Sequence, residues 1–467
     1  MEFKEFILAH DGEDVASLAL TRKALSMEVD DWDLALSTLQ ARSKLRHKVP
    51  EWYAIPSLQY PKALSAEQCS STETAYYKAS LIFTIFSQAR RYAFSGKDAR
   101  QVAQLSQALR KNKQKCVTGG SIRIADLTGG LGVDAWAFSK VAKEVLYNEM
   151  DEGLCCAAMH NFKELGVNNI TITNCEIAPG IRLPIKPAMT NVDVIFLDPA
   201  RRGDGGRKVF RLEDCSPNVI ELLPELYDAC PNIMLKLSPM ADITQVCKQL
   251  PGVREVHVVA TGGECKELLL LLEKGYTNDY STYIYDSGAL LKIPDQVRND
   301  TKGVRNDTKG VRDDVEGVLE ADSHCRPRPA ILNDYATWLF EPGKALLKAG
   351  AFELPCEYGL SKLGRHTHLY VSQEPVPEEL APFGKCFKIV ETLPLSGKTM
   401  KDIGKRYPKA DVTARNIPMT SEELAKRLGV KPGDGTLHIF GTLSDAQGKL
   451  LIIARATERE APVPPKS

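Results

Sequence analysis

The sequence contains no CxxC pair. Its twelve cysteines are scattered, and only Cys155 and Cys156 stand together. Neither a zinc ribbon nor an iron–sulfur centre is expected from such spacing, and no metal is expected. The chain also lacks any apolar run approaching the roughly 18 residues of a membrane span, and its start, MEFKEFILAH, does not read as a signal peptide. A reducing cytoplasm is the compartment these absences favour. Charge of one sign is missing too. Sixty Lys and Arg balance 60 Asp and Glu, so a polyanionic partner must be met by local basic patches rather than a global field.

What is present reads as globular protein: 467 residues, 43% apolar and 26% charged. That length exceeds one core and predicts about three domains. From 1 to about 116 apolar residues recur at helical spacing, as in WDLALSTLQARSKL and TAYYKASLIFTIFSQARRYA. Ser70, Ser71 and Thr72 before Glu73 form a helix-start signal. From about 121 to 275 strands and helices alternate: IRIADL, EVLYNE, ITITNC, VDVIFLD and NIMLKLS, then VREVHVVAT and KELLLLLEK separated only by GGEC. That short connection predicts a hairpin, and hence a parallel sheet with one antiparallel strand at its end. Residues 297–317 repeat VRNDTKG, VRNDTKG, VRDDVEG. The repeat lacks the second apolar position of a heptad seam and is expected to be a disordered insertion. Beyond it lie α+β segments. Between 398 and 431, nine Lys and Arg oppose four acids, an excess of five positive charges (9 − 4).

Four constellations bear chemistry. The first is DLTGGLGVD (126–134), between a strand and a helix. Its glycines let backbone approach a ligand at a helix N-terminus, and it also satisfies the dinucleotide fingerprint. The second is Glu149, at the end of the next strand, placed to accept bonds from ribose hydroxyls; the plainer reading is a surface acid starting a helix. Asp126 separates the two cofactor classes. A carboxylate at that strand end pairs with the ammonium of S-adenosylmethionine, whereas it repels a dinucleotide phosphate. The third is VIFLDPARRG (194–203): an apolar strand presents Asp198 and Pro199 at its tip, with Arg201 and Arg202 able to hold phosphate or simply to line a solvated loop. The fourth is Lys236 in the strand NIMLKLS, either opposite an acid of the site or reaching past an edge to solvent.

Together, DLTGGLGVD, LYNEMDE, VDVIFLDPARRG and REVHVVATGGECKELLLLL resemble class I S-adenosylmethionine-dependent methyltransferases. The motifs cover about a third of the chain. EQCSSTETAYYKA, WLFEPGKALLKAG and TARNIPMTSEELAKRLGVKPGDGTLHIFGT narrow the resemblance to bacterial methyltransferases with a helical N-terminal region, a ferredoxin-like module and a C-terminal THUMP-like domain. The resemblance implies an α/β fold: a Rossmann-like, mostly parallel sheet with an antiparallel terminal hairpin. It implies domains at 1–118 (helical), 119–276 (methyltransferase), 277–392 (ferredoxin-like, with an insertion at about 295–327) and 393–467 (THUMP-like). Carried onto matching positions, Asp126, Gly129, Gly130 and Gly132 hold the methionine end of S-adenosylmethionine, and Thr128 and Asp134 are further cofactor-binding residues. Glu149 holds the ribose, Met150 is a further cofactor-binding residue, Cys175 or Glu176 lies by the adenine, and Asp198, Pro199 and Lys236 face the reaction.

THUMP domains bind RNA, so the resemblance implies tRNA or rRNA as substrate. The basic runs at Arg42–Lys48, Arg90–Arg91 and 398–431 are candidate backbone contacts. Two routes are disfavoured. Carbon-5 methylation of a pyrimidine needs a cysteine where this chain has Ser238. Adenine N6 methylation commonly uses an aromatic residue where it has Arg201. A base nitrogen is the expected acceptor, with the particular atom left open. The competing readings are a protein or small-molecule methyltransferase and a non-catalytic RNA-binding protein with a vestigial donor pocket.

Overall fold

A computed structural model describes residues 2–20, 29–86, 96–111, 121–185, 189, 191–201, 211–294 and 337–457. The chain divides into two compact units, Met1–Thr261 with Cys265–Lys292, and Gly262–Glu264 with Ile293–Ser467. The repeat at 297–317, Arg90–Arg91 and Arg202 lie outside the described residues.

The first unit is built on nine strands: β1 (Arg123–Asp126), β2 (Glu144–Asn148), β3 (Ile170–Thr173), β4 (Val194–Leu197), β5 (Asn232–Leu237), β6 (Val253–Thr261), β7 (Glu264–Glu273), β8 (Ser281–Asp286) and β9 (Ala289–Ile293). Their spatial order is β9-β8-β6-β7-β5-β4-β1-β2-β3. The strands β3-β2-β1-β4-β5 are parallel, and β7 inserts antiparallel to β5 with Lys236 opposite Leu269. All four residues of β4 are buried, as expected of a parallel strand covered on both faces. The order reverses between β1 and β4, which opens the crevice in which such sheets bind ligands.

The first sheet and the apolar core of the first unit each draw on residues from both sides of an expected boundary. The sheet does not stop at the β6–β7 hairpin: β8 pairs parallel to β6, so residues 277–292 extend the first sheet. Nor does the helical region stand apart. Helix α1 (Trp32–Lys48) and helix α2 (Thr72–Phe86) precede helix α3 (Gly96–Lys111). Helix α4 (Val133–Ser139) follows the glycine loop, and all seven of its residues are buried. Its Trp136 packs on Tyr76 of α2 at 5.4 Å and on Trp52 at 6.0 Å. Residues from Ala41 to Tyr285 share one apolar cluster. Ser71 caps α2, its hydroxyl accepting from Thr74 N–H at 3.2 Å.

Two members of the basic run on α1, Arg42 and Lys48, are committed internally, which corrects their expected part in gripping RNA, while Lys44, Arg46 and His47 are exposed. Arg42 is 2% exposed and donates to Asp11 at 2.9 Å. Lys48 donates to the carbonyls of Ala66 and Glu67. An arginine or lysine whose charge is satisfied inside the fold has no charge to offer a phosphate.

The second unit is a seven-stranded sheet of β10 (Trp338–Pro342), β11 (Ser361–Gly364), β12 (Thr367–Ser372), β13 (Gly384–Pro394), β14 (Asp411–Arg415), β15 (Leu437–Ser444) and β16 (Gly448–Ala456). The order is β11-β12-β10-β13-β16-β15-β14, with only β14 and β15 parallel. The division expected at 392–393 falls within β13. Helix α5 (Gly397–Arg406) carries four basic residues against one acid, and helix α6 (Ser421–Leu428) carries two of each. A capping box of Thr420 and Glu423 starts α6 and left-handed Gly429 ends it.

Candidate active site

The glycine loop follows from close packing. A methyl group on Gly129 would lie 2.2 Å from the Tyr147 ring. One on Gly132, already at φ +92, would lie 2.8 Å from Phe162. A methyl group on Gly130, at φ +53, would meet nothing nearer than Thr128 O at 4.0 Å. Tyr147 Oη donates to Gly130 O at 2.6 Å, which fixes the loop against β2. Two of the three glycines are thus required by neighbouring rings, and Gly130 is the one with room for a ligand.

Asp126 ends β1. It is fully buried; Oδ1 accepts from Thr128 N–H at 3.2 Å, and Oδ2 meets no hydrogen-bond donor. Burial first, then the charges of Asp134, Asp198 and Glu149, hold its carboxyl well above the usual carboxylate range. Thr128 ties two strand tips together, its Oγ1 accepting from Asp198 N–H at 2.6 Å. Asp198 itself pairs with Lys236 across β4 and β5. Burial opposes the Lys236 charge, but Asp198, Glu267 and Asp134 outweigh it and raise its basicity. The reading of Lys236 as opposite an acid of the site therefore matches the geometry.

Glu149 follows β2. Its carboxylate accepts from Gly130 N–H at 2.8 Å and Asp151 N–H at 3.0 Å, and each oxygen retains a further acceptor position. Beside it Met150 is 66% exposed, unusual for a large apolar side chain. Cys175 and Glu176 are exposed after β3. Asn148, fully buried, joins these tips by donating to Leu127 O at 3.2 Å and Cys175 O at 2.9 Å.

Asp134 stands in the first turn of α4 but is engaged from the N-terminal side. Ser70 Oγ donates to it at 2.7 Å, and Lys78 Nζ lies 3.2 Å away. Pro199 is buried, and Ala200–Arg201 pairs with Cys215–Ser216 in a short antiparallel ladder. Ser238 Oγ accepts locally from Met240 N–H at 3.2 Å. Sequence reasoning passed over Asn148, Ser70, Lys78 and Glu267. A lysine within TAYYKASLIF, an apolar helical stretch, was the available signal.

Among the described residues no group of three or more His, Cys, Asp or Glu could hold a metal ion, and no helix is long and apolar enough to cross a membrane.

The strand order and the antiparallel strand beside β5 are consistent with a Rossmann-like methyltransferase fold. Over 98% of both chains the fold matches a crystal structure from Porphyromonas gingivalis W83, provisionally titled a methyltransferase, at 25% identity and a TM-score of 0.65. Shorter matches include a SAM-dependent methyltransferase from Aquifex aeolicus (19% identity, 36% of this chain and 88% of that one, TM-score 0.25). Another is M. capricolum TrmK with S-adenosyl-homocysteine (12%, 40% and 72%, TM-score 0.26). A family model of a ferredoxin-like domain matches residues 338–378, and one described as THUMP domain-like matches 384–456. No curated protein matches the chain.

Proposed function

We propose that the protein is an S-adenosylmethionine-dependent methyltransferase whose acceptor is a base nitrogen of tRNA or rRNA. The observation that carries the reading is the Asp126 carboxyl, buried at the point of strand reversal with one oxygen lacking a donor. An isolated buried carboxylate is costly unless a cation meets it, and the donor's ammonium is such a cation. The other residues fit the same ligand: Glu149 the ribose hydroxyls, Met150 one adenine face, Cys175 and Glu176 its edge, Gly130 the methionine end.

When bound, S-adenosylmethionine supplies an electrophilic methyl group for in-line displacement. The chain's own part is to hold and orient. Lys236 fixes Asp198, which accepts a hydrogen bond from the acceptor nitrogen and takes its proton where one is lost. Pro199 stiffens the turn behind it, and Arg201 and Arg202 contact phosphate. Proximity of this kind supplies much of the acceleration in methyl transfer without a strong base. The RNA part of the reading is supported by the THUMP-like match over 384–456. On α5, α6 and nearby loops, Lys398, Lys401, Lys405, Lys409, Lys426, Arg427 and Lys431 are all exposed. The test is incubation of the full chain with tritiated S-adenosylmethionine and total RNA from a strain lacking the gene. Label in one nucleoside of the digest is expected. Label in protein instead of RNA, or in nothing, overturns the RNA reading.

A further inference from the structure

The crevice contains a buried charge that donor binding alone does not explain. Lys78 of α2 is fully buried, and its Nζ lies 2.8 and 3.0 Å from the two Glu267 oxygens, 2.9 Å from Ser70 Oγ and 3.2 Å from Asp134 Oδ1. Asp134 follows the glycine loop directly. Glu267 lies near the start of β7, beside the tip of β5, where Lys236 meets Asp198. Three carboxylates, Asp134, Asp198 and Glu267, thus share two lysines, and Asp126 has neither.

We propose that Lys78 is a positioning residue for the methyl donor, contributed by the N-terminal helices: it neutralises Asp134 and Glu267 and so leaves Lys236 to Asp198. The inference rests on the methyl-donor reading above. It makes the helical region a constituent of the donor pocket rather than an appendage. The groups that face Asp126 are Asp134 from α4, Asp198 from β4, Glu149 and Tyr147 from the β2 side, and the Thr128 amide. Of these, Asp134 is the charge that most opposes a charged Asp126, and Lys78 is the cation beside it.

The experiment is calorimetric titration of the full chain with S-adenosylmethionine from about pH 6 to about pH 9. Binding of the ammonium needs the Asp126 carboxylate, so affinity rises with pH through a midpoint. In Lys78→Met the Asp134 charge is uncovered, and the midpoint moves up by about one unit. In Glu267→Gln, Lys78 is freed for Asp134, and the midpoint moves down. Opposite shifts from the two partners of one ion pair are not produced by a general loosening of the fold, which thermal melts of each variant monitor. Should Lys78→Met fail to fold, the downward shift in Glu267→Gln remains decisive. Folded variants with the wild-type midpoint overturn the inference alone. A wild-type chain that binds no S-adenosylmethionine at any pH overturns the methyl-donor reading, and this inference with it.

Discussion

The candidate site of the first unit and the basic helices of the second treat charge in opposite ways. In the first, Lys78, Lys236, Asp126, Asp134 and Glu267 are each at most 9% exposed and, Asp126 apart, meet opposite charges within the fold. In the second, the lysines of α5 and α6 are exposed, Arg406 pairs with Glu391 and Arg415 with Glu341 from partly exposed positions, and a pair with a buried lysine, Lys362 with Glu353, lies outside these helices. A buried charge binds its neighbours into a single arrangement, and breaking one pair strands the other member. An exposed charge is screened and contributes little to stability, leaving it available to a partner. Substitutions in the crevice therefore change both folding and binding, whereas those on the basic helices change binding alone.

The largest effect that sharpens this contrast is expected from Lys236→Met, which strands Asp198. Stability falls by about 3 kcal/mol in urea melts, towards the lower end for a broken buried pair because Asp198 keeps some solvent contact. Adding Asp198→Asn recovers most of that loss. Failure to recover breaks the pairing argument.

Next comes Asp126→Asn, which lowers donor affinity by about 100-fold, or about 2.8 kcal/mol. It also separates function from stability. The folded carboxyl is raised above its ordinary value, so its contribution to stability is fully present below the unfolded value, about 3.9. That contribution is lost as pH rises through the raised value of the folded state. The asparagine variant should therefore melt higher than wild type at neutral and alkaline pH, and the difference should vanish in acid.

Gly129→Ala drives a methyl group into Tyr147 and is expected to cost about 1–3 kcal/mol. Gly130→Ala, which meets nothing nearer than 4.0 Å but has a positive φ, costs about 1. The reverse order would contradict the packing account of the loop. The smallest stability effect is expected from Lys401→Glu with Lys405→Glu, within about 0.5 kcal/mol of wild type. RNA affinity falls in that variant, and its salt dependence flattens by about one unit of slope per lost contact.

Much of the catalytic sheet was legible because its signals are local. The apolar strand VIFL, the glycine loop and the short GGEC hairpin each declare their structure within a few residues. The added strands β8 and β9 were not, since STYIYDSGALLKI gives no sign of which sheet it joins. The charges divided in the same way. Asp126, Glu149 and Asp198 announce themselves as acids at strand ends. The partner of Lys78, by contrast, is Glu267, 189 residues away along the chain, a pairing no spacing rule reveals. Arg42 misled for the reciprocal reason: a basic run on a helix reads as a solvated face until Asp11 is found against it.

The most direct test of the central claim is calorimetric titration of the wild-type chain and of Asp126→Asn with S-adenosylmethionine at about pH 8. One molecule bound per wild-type chain, with affinity reduced about 100-fold in the variant, is the predicted result. A folded wild-type chain that gives no binding, or a variant that binds as tightly, contradicts it.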